Sequence, residues 1–206
     1  MSENAFSLIQ EMDMEQLETQ IALQCAPVIA GLKISNLLIV QEKYLETLQN
    51  MLKETQLSYE ILLRRKGQIT FLIYQETAVK NYLAQIKVKE LLKKLGYASG
   101  TLKHLLKEVK KRYRFYMEMQ RNFPHEMGLL LGYPPEDVQG FIENEGRNFL
   151  YAGYWKVYEN LPAKLSLFQK YEQAGEAVLQ MIALGVSVRD IINIYSENAP
   201  KQTALL

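Results

Sequence analysis

The fold class is decided by residues 57–74, which read LSYEILLRRKGQITFLIY. In the first half of this stretch Leu57, Tyr59 and Ile61 alternate with polar residues, which is the two-residue period of a half-buried strand. The second half, 69–74, is rich in β-branched and aromatic residues, which favour strands. A short polar segment, 65–67, separates the halves and ends in glycine. The pattern predicts a β-hairpin.

Upstream of the hairpin the sequence predicts a helix, a strand and a second helix. Leu17, Ile21 and Cys25 recur every four residues, as on the buried face of an amphipathic helix that starts near Met14 and is interrupted by Pro27. The apolar residues 37–40 predict a short buried strand. Helical spacing then returns over 44–52.

Downstream of the hairpin the sequence is mainly helical. Helices are predicted over 76–95, 101–122, 124–131, from 134 onward, over 163–184, and from a capping box at Ser187 and Asp190 to Tyr195, with an aromatic last strand over 149–158. The strands are not arranged as repeated βαβ units, so the predicted class is α+β. We expect one predominantly helical domain over 1–196 with about four short strands, and a frayed tail over 197–206.

Composition restricts the class of protein further. Hydrophobic residues make up 48% of the chain and charged residues 23%, which are globular values and exclude a disordered chain. The one cysteine, Cys25, excludes an internal disulfide. The apolar runs fall far short of the roughly 20 residues that span a bilayer, and residues 1–32 contain no Lys or Arg for a targeting signal. We therefore expect a cytoplasmic protein that does not insert into membranes.

The near-neutral net charge of +1 conceals a basic segment over 87–114. One stripe along the second predicted helix of this segment consists of Lys103, Lys107, Lys110, Lys111 and Arg114. The stripe predicts a site for a small anionic ligand or an acidic protein partner, with a merely solvated helix face as the alternative. Nucleic acid is not the expected partner, because no recognition helix, aromatic RNA-binding motif or zinc finger accompanies the stripe.

Cys25 is the candidate nucleophile, and His125 with Glu126 is the candidate acid–base pair. If Cys25 ends the first helix, the helix dipole raises the pKa of its thiol; if it caps a new helix at Pro27, the dipole lowers that pKa. A small buried hydrophobe is the other interpretation of Cys25. His125 follows Pro124 in a predicted first helical turn, where a neutral imidazole could act as a base, or where His125 and Glu126 only satisfy backbone N–H groups. Common nucleotide, hydrolase, zinc-protease and kinase motifs do not occur in the sequence.

Two stretches carry a resemblance to a known family. CAPVIAGLK at 25–33 and FPHEMGLLLGYPPEDVQGFIENEGRNFLYAGYWKVY at 123–158 resemble an uncharacterised family of anaerobic Firmicutes, mainly Clostridia, known as domain of unknown function 3793. The resemblance covers nearly the whole chain and implies no activity and no cofactor. Members of the family often have His before the cysteine, where this chain has Gln24, and this departure weakens an adjacent His–Cys pair.

The resemblance suggests that the two stretches share a cleft. Cys25, His125 and the segment 146–158 would line a pocket, with the basic helix as an anion anchor nearby. The predicted ligand-binding residues are Asn144, Asn148, Tyr154, Trp155, Lys107 and Lys111. The first function hypothesis is a ligand-handling protein for an anionic small molecule, with a thiol-dependent enzyme as its sharper form. The alternatives are an interaction module that docks an acidic redox protein through 87–114, and a haem or flavin carrier.

Overall fold

The computed structural model describes residues 10, 12–97, 101–121 and 123–198. Its helices are α1 (Leu17–Ile29), α2 (Leu45–Leu52), α3 (Glu76–Ala84), α4 (Ile86–Lys94), α5 (Leu102–Met119), α6 (Glu126–Leu130), α7 (Pro135–Glu143), α8 (Leu161–Ala183) and α9 (Val188–Asn198). Its strands are β1 (Ser35–Gln41), β2 (Ser58–Arg65), β3 (Gln68–Tyr74), β4 (Tyr151–Ala152) and β5 (Lys156–Val157), and a 3₁₀ turn at Glu42–Tyr44 precedes α2. This is a predominantly helical α+β domain, as predicted.

The predicted hairpin is confirmed and forms the larger sheet. β2 and β3 pair antiparallel around a turn at Lys66 and Gly67, which both have positive φ, as two-residue hairpin turns require. β1 pairs antiparallel on the other side of β3, so the strand order is β1-β3-β2. The register shifts between Ile61 and Leu63, which makes Leu62 a bulge residue. Its carbonyl accepts a hydrogen bond from Arg114 Nε at 3.0 Å, which ties α5 to the sheet.

Helices cover both faces of this sheet because successive residues of β3 point to opposite faces. Phe71 and Ile73 belong to a buried cluster with residues of α1, α8 and α9. Leu72, between them, belongs to a second cluster with α5 and with Met127 and Leu130 of α6. The sheet therefore separates α1 from α6.

Two predicted boundaries are wrong. The helix expected over 76–95 is two helices, because Gln85 has an extended ψ of 141° and ends α3 before α4 begins. Pro27 does not interrupt the first helix, which continues through Ile29. A proline this close to the end of a helix lacks only one intrahelical N–H donor.

The last strand expected over 149–158 is a small hairpin of two strands, β4 and β5. The capping box is confirmed, since Ser187 Oγ accepts from the N–H of Asp190 at 3.2 Å and donates to Asp190 Oδ2 at 2.6 Å. The first two residues of the predicted tail belong to α9, and 199–206 lie outside the described residues. Within the described ranges, no helix has the length and apolar character to cross a membrane.

Candidate functional site

A cavity of about 700 Å³ lies beside the edge strand β1, and we call it the lysine cavity. Both signature stretches reach it, the first through Lys33 and the second through Tyr133 and the β4–β5 hairpin. Helices α1 and α8 form its sides. Both stretches therefore border one cavity, but Cys25 and His125, which were predicted to share it, do not line it, whereas Lys33, which was not predicted as a site residue, does.

Lys33 is the buried cation of this cavity, which two carboxylates, Glu172 and Glu176, also line. Its residue is only 6% exposed, and its Nζ donates a hydrogen bond to Asn36 Oδ1. The Nζ also lies 5.3 Å from the ring centroid of Tyr133. Among the residues that the structure describes, the ion pairs do not include Lys33. Burial lowers the pKa of Lys33 to about 8, an effect partly offset by the Cys25 sulfur.

Asn36 and Gln24 hold Lys33 in a polar network at the edge of β1. Asn36 Nδ2 donates to the backbone carbonyls of Gln24 and Leu37. The Gln24 amide in turn binds the backbone of Ile39 twice, accepting from its N–H at 2.9 Å and donating to its carbonyl at 3.2 Å. Gln24 thus satisfies both backbone groups of an edge-strand residue. A histidine at this position, which is common in the family that the sequence resembles, could not do so through one ring nitrogen.

Aromatic side chains form the wall opposite α1. Tyr154 packs on Phe168 and Tyr171, with ring centroids 5.3 and 5.0 Å apart. Phe168 also meets the ring of Trp155 edge-on at 4.6 Å. The close approach needs glycine at position 153, because a Cβ there would lie 2.5 Å from the Phe168 ring. The hairpin β4–β5 therefore packs directly on α8.

A second cavity of about 430 Å³ adjoins the first, and we call it the histidine cavity. The imidazole of His125 lies there between Phe123 and Phe141, at 5.8 Å between ring centroids in each case. Burial lowers the pKa of His125, so the ring is neutral at pH 7. His125 makes no side-chain cap bond to α6, so the prediction that it satisfies backbone N–H groups is wrong.

The two cavities share part of their boundary. The residues that line both are Leu37, Leu131, Tyr133 and Tyr154. Trp155 lines the histidine cavity and stacks on Tyr133 with 5.0 Å between ring centroids. The ring of Tyr133 therefore connects Lys33 on one side with Trp155 on the other.

Trp155 is fixed by the buried carboxylate of Asp137 in the first turn of α7. Asp137 Oδ2 accepts from Trp155 Nε1 at 2.7 Å, and Oδ1 accepts from the N–H groups of Tyr158 and Glu159 at 2.8 and 3.2 Å. Asp137 is 1% exposed, so these donors replace its hydration. This contact positions the β4–β5 hairpin against α7.

Glu126 is a buried carboxylate that serves as a structural tie. It is 1% exposed and accepts a hydrogen bond from Tyr97 Oη at 2.6 Å. Arg112 approaches the same oxygen at 3.5 Å and lies over the Tyr97 ring. The Glu126 side chain does not line either of the two cavities. Its predicted catalytic role stays a prediction that this geometry does not support.

Cys25 lies inside α1 and is 1% exposed. Neither alternative for its helix position holds, because α1 runs past Cys25 without ending or restarting there. Burial raises the pKa of its thiol to about 12. Cys25 packs in the cluster on the α1 side of the sheet, whereas His125 directly precedes α6 on the other side. The hypothesis that Cys25 and His125 line one pocket is therefore wrong.

The other predicted residues are divided between the cavities and the surface. Tyr154 and Trp155 line the histidine cavity with His125. Asn144 and Asn148 lie after α7, where Asn144 Nδ2 donates to the Gly140 carbonyl at 2.9 Å and Asn148 Nδ2 to Asn144 Oδ1 at 3.3 Å.

Lys107 and Lys111 are exposed on α5. Lys107 borders a groove that also contains Glu60 and Glu76, so neither lysine is an anion anchor for the aromatic cavities. It is the apolar face of α5 that reaches the histidine cavity, through Tyr113 and Met117.

Lys33, Asn36 and Tyr133 line the lysine cavity but were not predicted from the sequence as site residues. One signal was available for Lys33, which is the only Lys or Arg among residues 1–42 and ends the first signature stretch. An isolated lysine in an apolar segment is unusual for a solvated surface residue. Asn36 and Tyr133 offered no comparable signal, because their roles depend on contacts with distant segments.

Metal binding finds no support in the described ranges, where no group of three or more His, Cys, Asp or Glu side chains could hold an ion. No curated protein and no solved structure matches the chain significantly. Residues 21–192, which include both cavities' principal residues, match the family described as "Protein of unknown function (DUF3793)". Because this match covers most of the chain, the protein belongs to that family.

Proposed function

We propose that the protein binds a small organic anion, a carboxylate or a phosphate, in the lysine cavity with Lys33 as its anchor. The observation that carries the proposal is a buried ammonium group at a large cavity with an aromatic wall, where it contacts the neutral Asn36 amide and Tyr133 ring. Glu172 and Glu176 line the same cavity, so the anionic group is placed at Lys33 and not along α8. Burying a charge without a counter-charge is costly, and such a charge gains most from a bound ion of opposite sign.

The aromatic wall supports an organic anion over a bare inorganic one. Tyr154, Phe168 and Tyr171 offer apolar ring surface within the same cavity as Lys33. Ligand sites are commonly apolar cavities with a few polar groups that fix the orientation of the ligand. A ligand with one oxyanion and an apolar body fits this arrangement.

Binding is expected to depend on pH through Lys33. The cation is the binding form, and its pKa in the free protein is about 8. Affinity should therefore be constant well below pH 8 and fall about tenfold for each further pH unit above it. The bound anion should raise the pKa of Lys33, because a nearby opposite charge favours the charged form.

Calorimetric titration with benzoate and with phenyl phosphate, in the wild type and in Lys33→Met, tests the proposal. We expect Lys33→Met to remove measurable binding of both probes. Lys107→Met is the matched control, since it removes an exposed lysine that lies outside both cavities, and it should bind as the wild type does. Binding that survives Lys33→Met and is lost in Lys107→Met would refute the proposal and favour the basic helix.

The other function hypotheses stay predictions. A thiol-dependent enzyme gains no support from the buried position of Cys25. An interaction module for an acidic redox protein would depend on the exposed Lys107 and Lys111, whereas Lys110 and Arg114 of the same stripe are bonded to β2. The double substitution Lys107→Glu with Lys111→Glu should abolish such docking and leave the binding of benzoate unchanged.

A further inference from the structure

We infer that the ligand is amphipathic, with its anionic group at Lys33 and an apolar tail that extends past Tyr133 and Tyr154 into the histidine cavity. The inference rests on the proposed function, because it takes Lys33 as the anchor. It adds the class of ligand, a medium-chain carboxylate or a similar acid, and a second binding region that is lined by His125 and Trp155.

The continuity of the two cavities supports a single ligand that spans both. They share four boundary residues, and Lys33 Nζ lies 5.3 Å from the Tyr133 ring, which itself lies 5.0 Å from the Trp155 ring. A group bound at Lys33 is therefore about one aromatic ring away from the histidine cavity. The apolar body of a ligand anchored at Lys33 therefore has a short path to the histidine cavity.

Tyr154 is the boundary residue best placed to open that path. Its residue is 41% exposed, whereas Leu131 is 7% exposed. Exposed side chains change rotamer far more easily than close-packed ones. Rotation of Tyr154 away from Phe168 and Tyr171 would join the cavities at the expense of these ring contacts.

The histidine cavity suits an apolar group because its lining is mainly apolar and aromatic and its charged side chains, Asp137 and Lys156, already have partners within the protein. Asp137 accepts from Trp155 and from two backbone N–H groups. Lys156 Nζ donates to the Gly146 carbonyl at 2.7 Å and lies 4.8 Å from the Phe149 ring. His125 and four tyrosines are the other polar side chains of the lining, and burial disfavours the charged form of His125, which lies between two phenylalanines. Charge complementarity with an anion is therefore available at Lys33, and burial of apolar surface is available next to it.

The test is a titration series of acetate, butyrate, hexanoate, octanoate and decanoate against the folded full-length chain. Affinity should rise by up to about fourfold for each CH₂ group that becomes buried. The single tryptophan, Trp155, is a built-in reporter of the histidine cavity. Its emission should change with octanoate and decanoate and remain unchanged with acetate.

Two variants locate the tail and the head separately. His125→Asp places a carboxylate in the histidine cavity and should remove the gain with chain length, while His125→Asn, of the same size and uncharged, should retain most of it. Neither should change the affinity for acetate or butyrate. Lys33→Met should weaken every member of the series. Thermal unfolding of each variant shows whether it is folded.

The outcomes separate the two proposals. Lys33-dependent binding that strengthens with chain length and loses that gain in His125→Asp supports the inference. Lys33-dependent binding whose strength ignores chain length, or whose gain survives His125→Asp, overturns the inference and leaves the proposed function standing. Absence of Lys33-dependent binding for the whole series overturns both.

Discussion

Lys33→Met should make the protein more stable at neutral pH while it removes the proposed anion anchor. The substitution keeps a long, flexible side chain and deletes the charge. In the folded protein that charge is buried, and the ion pairs found among the described residues do not include it. Residues that serve binding often cost stability in this way.

The size of the effect follows from the pKa of Lys33. The folded protein lowers this pKa from 10.5 to about 8, and each tenfold change in proton affinity corresponds to about 1.4 kcal/mol, so the protonated lysine destabilises the fold by about 3 kcal/mol. Methionine leaves Asn36 Oδ1 without its donor, which costs about 1 kcal/mol. The net expectation is a gain of about 2 kcal/mol in the free energy of unfolding at pH 7.

The difference in the free energy of unfolding between the wild type and Lys33→Met should depend on pH. Between about pH 8 and the ordinary pKa of 10.5, unfolded Lys33 still holds its proton while folded Lys33 has released it. The unfolded state then binds more protons, so raising the pH stabilises the wild type relative to Lys33→Met. The advantage of the variant should be complete below pH 8 and should shrink by about 3 kcal/mol towards pH 10.5.

Urea unfolding of both proteins at neutral pH and near pH 10, followed by circular dichroism, measures these differences. Cys25 also titrates in the alkaline range, because burial raises the pKa of its thiol from 9.0 to about 12. Its contribution to the stability of the folded state is complete below pH 9 and is lost as the pH rises towards 12. Since both proteins contain Cys25, the difference between them largely removes that contribution. A variant that is less stable at pH 7, or a difference that does not change with pH, would show that the Lys33 charge does not destabilise the fold.

Three further predictions concern the elements around the two cavities. Alkylation should leave Cys25 unmodified in the native protein and label it on unfolding, because its thiol is buried and its pKa is about 12; rapid native labelling would contradict this. Asp137→Asn should lower the free energy of unfolding by about 1–3 kcal/mol and shift the emission of Trp155 to longer wavelength, because an amide cannot accept all three hydrogen bonds. An unchanged melting temperature and emission spectrum would contradict this role of Asp137. Gly153→Ala should destabilise the protein by about 1–3 kcal/mol, because the added Cβ would clash with the buried ring of Phe168. Gly175→Ala, which has open space around it in α8, should stabilise the protein by roughly 0.5–1 kcal/mol. Equal melting temperatures for the two variants would show that the Phe168 ring moves to accommodate the Cβ.

Elements with a chemical signal at their own position could be predicted from the sequence. The hairpin turn at Lys66 and Gly67, the proline start of α7 and the capping box at Ser187 depend on residues within a few positions of each other. The break at Gln85 could not be predicted, because glutamine favours helices and no glycine or proline marks the position. The packing of α4 around its buried residues Val88 and Leu91 is a tertiary contact that the local pattern does not contain.

The candidate site was predicted in part. The sequence indicated that the two signature stretches meet and that His125, Tyr154 and Trp155 belong near one another, and the structure places these three at the histidine cavity. It did not indicate that the lysine of the first stretch, rather than its cysteine, reaches the cleft. Cys25 lies in α1, and Lys33 lies eight positions later in the connection to β1. The chain turns at Gly31, and the direction of the Lys33 side chain depends on that turn.

The α+β class, the hairpin, most helices and the burial of one face of α1 could be predicted from local sequence, because they follow from periodicity and from turn and cap chemistry over a few residues. The separation of Cys25 from His125 by the sheet, and the contact of Lys33 with Tyr133, depend on long-range packing. Burial, charge environment and pKa depend on which helix covers which face of the sheet. Those contacts join residues about 100 positions apart, beyond the reach of any local pattern.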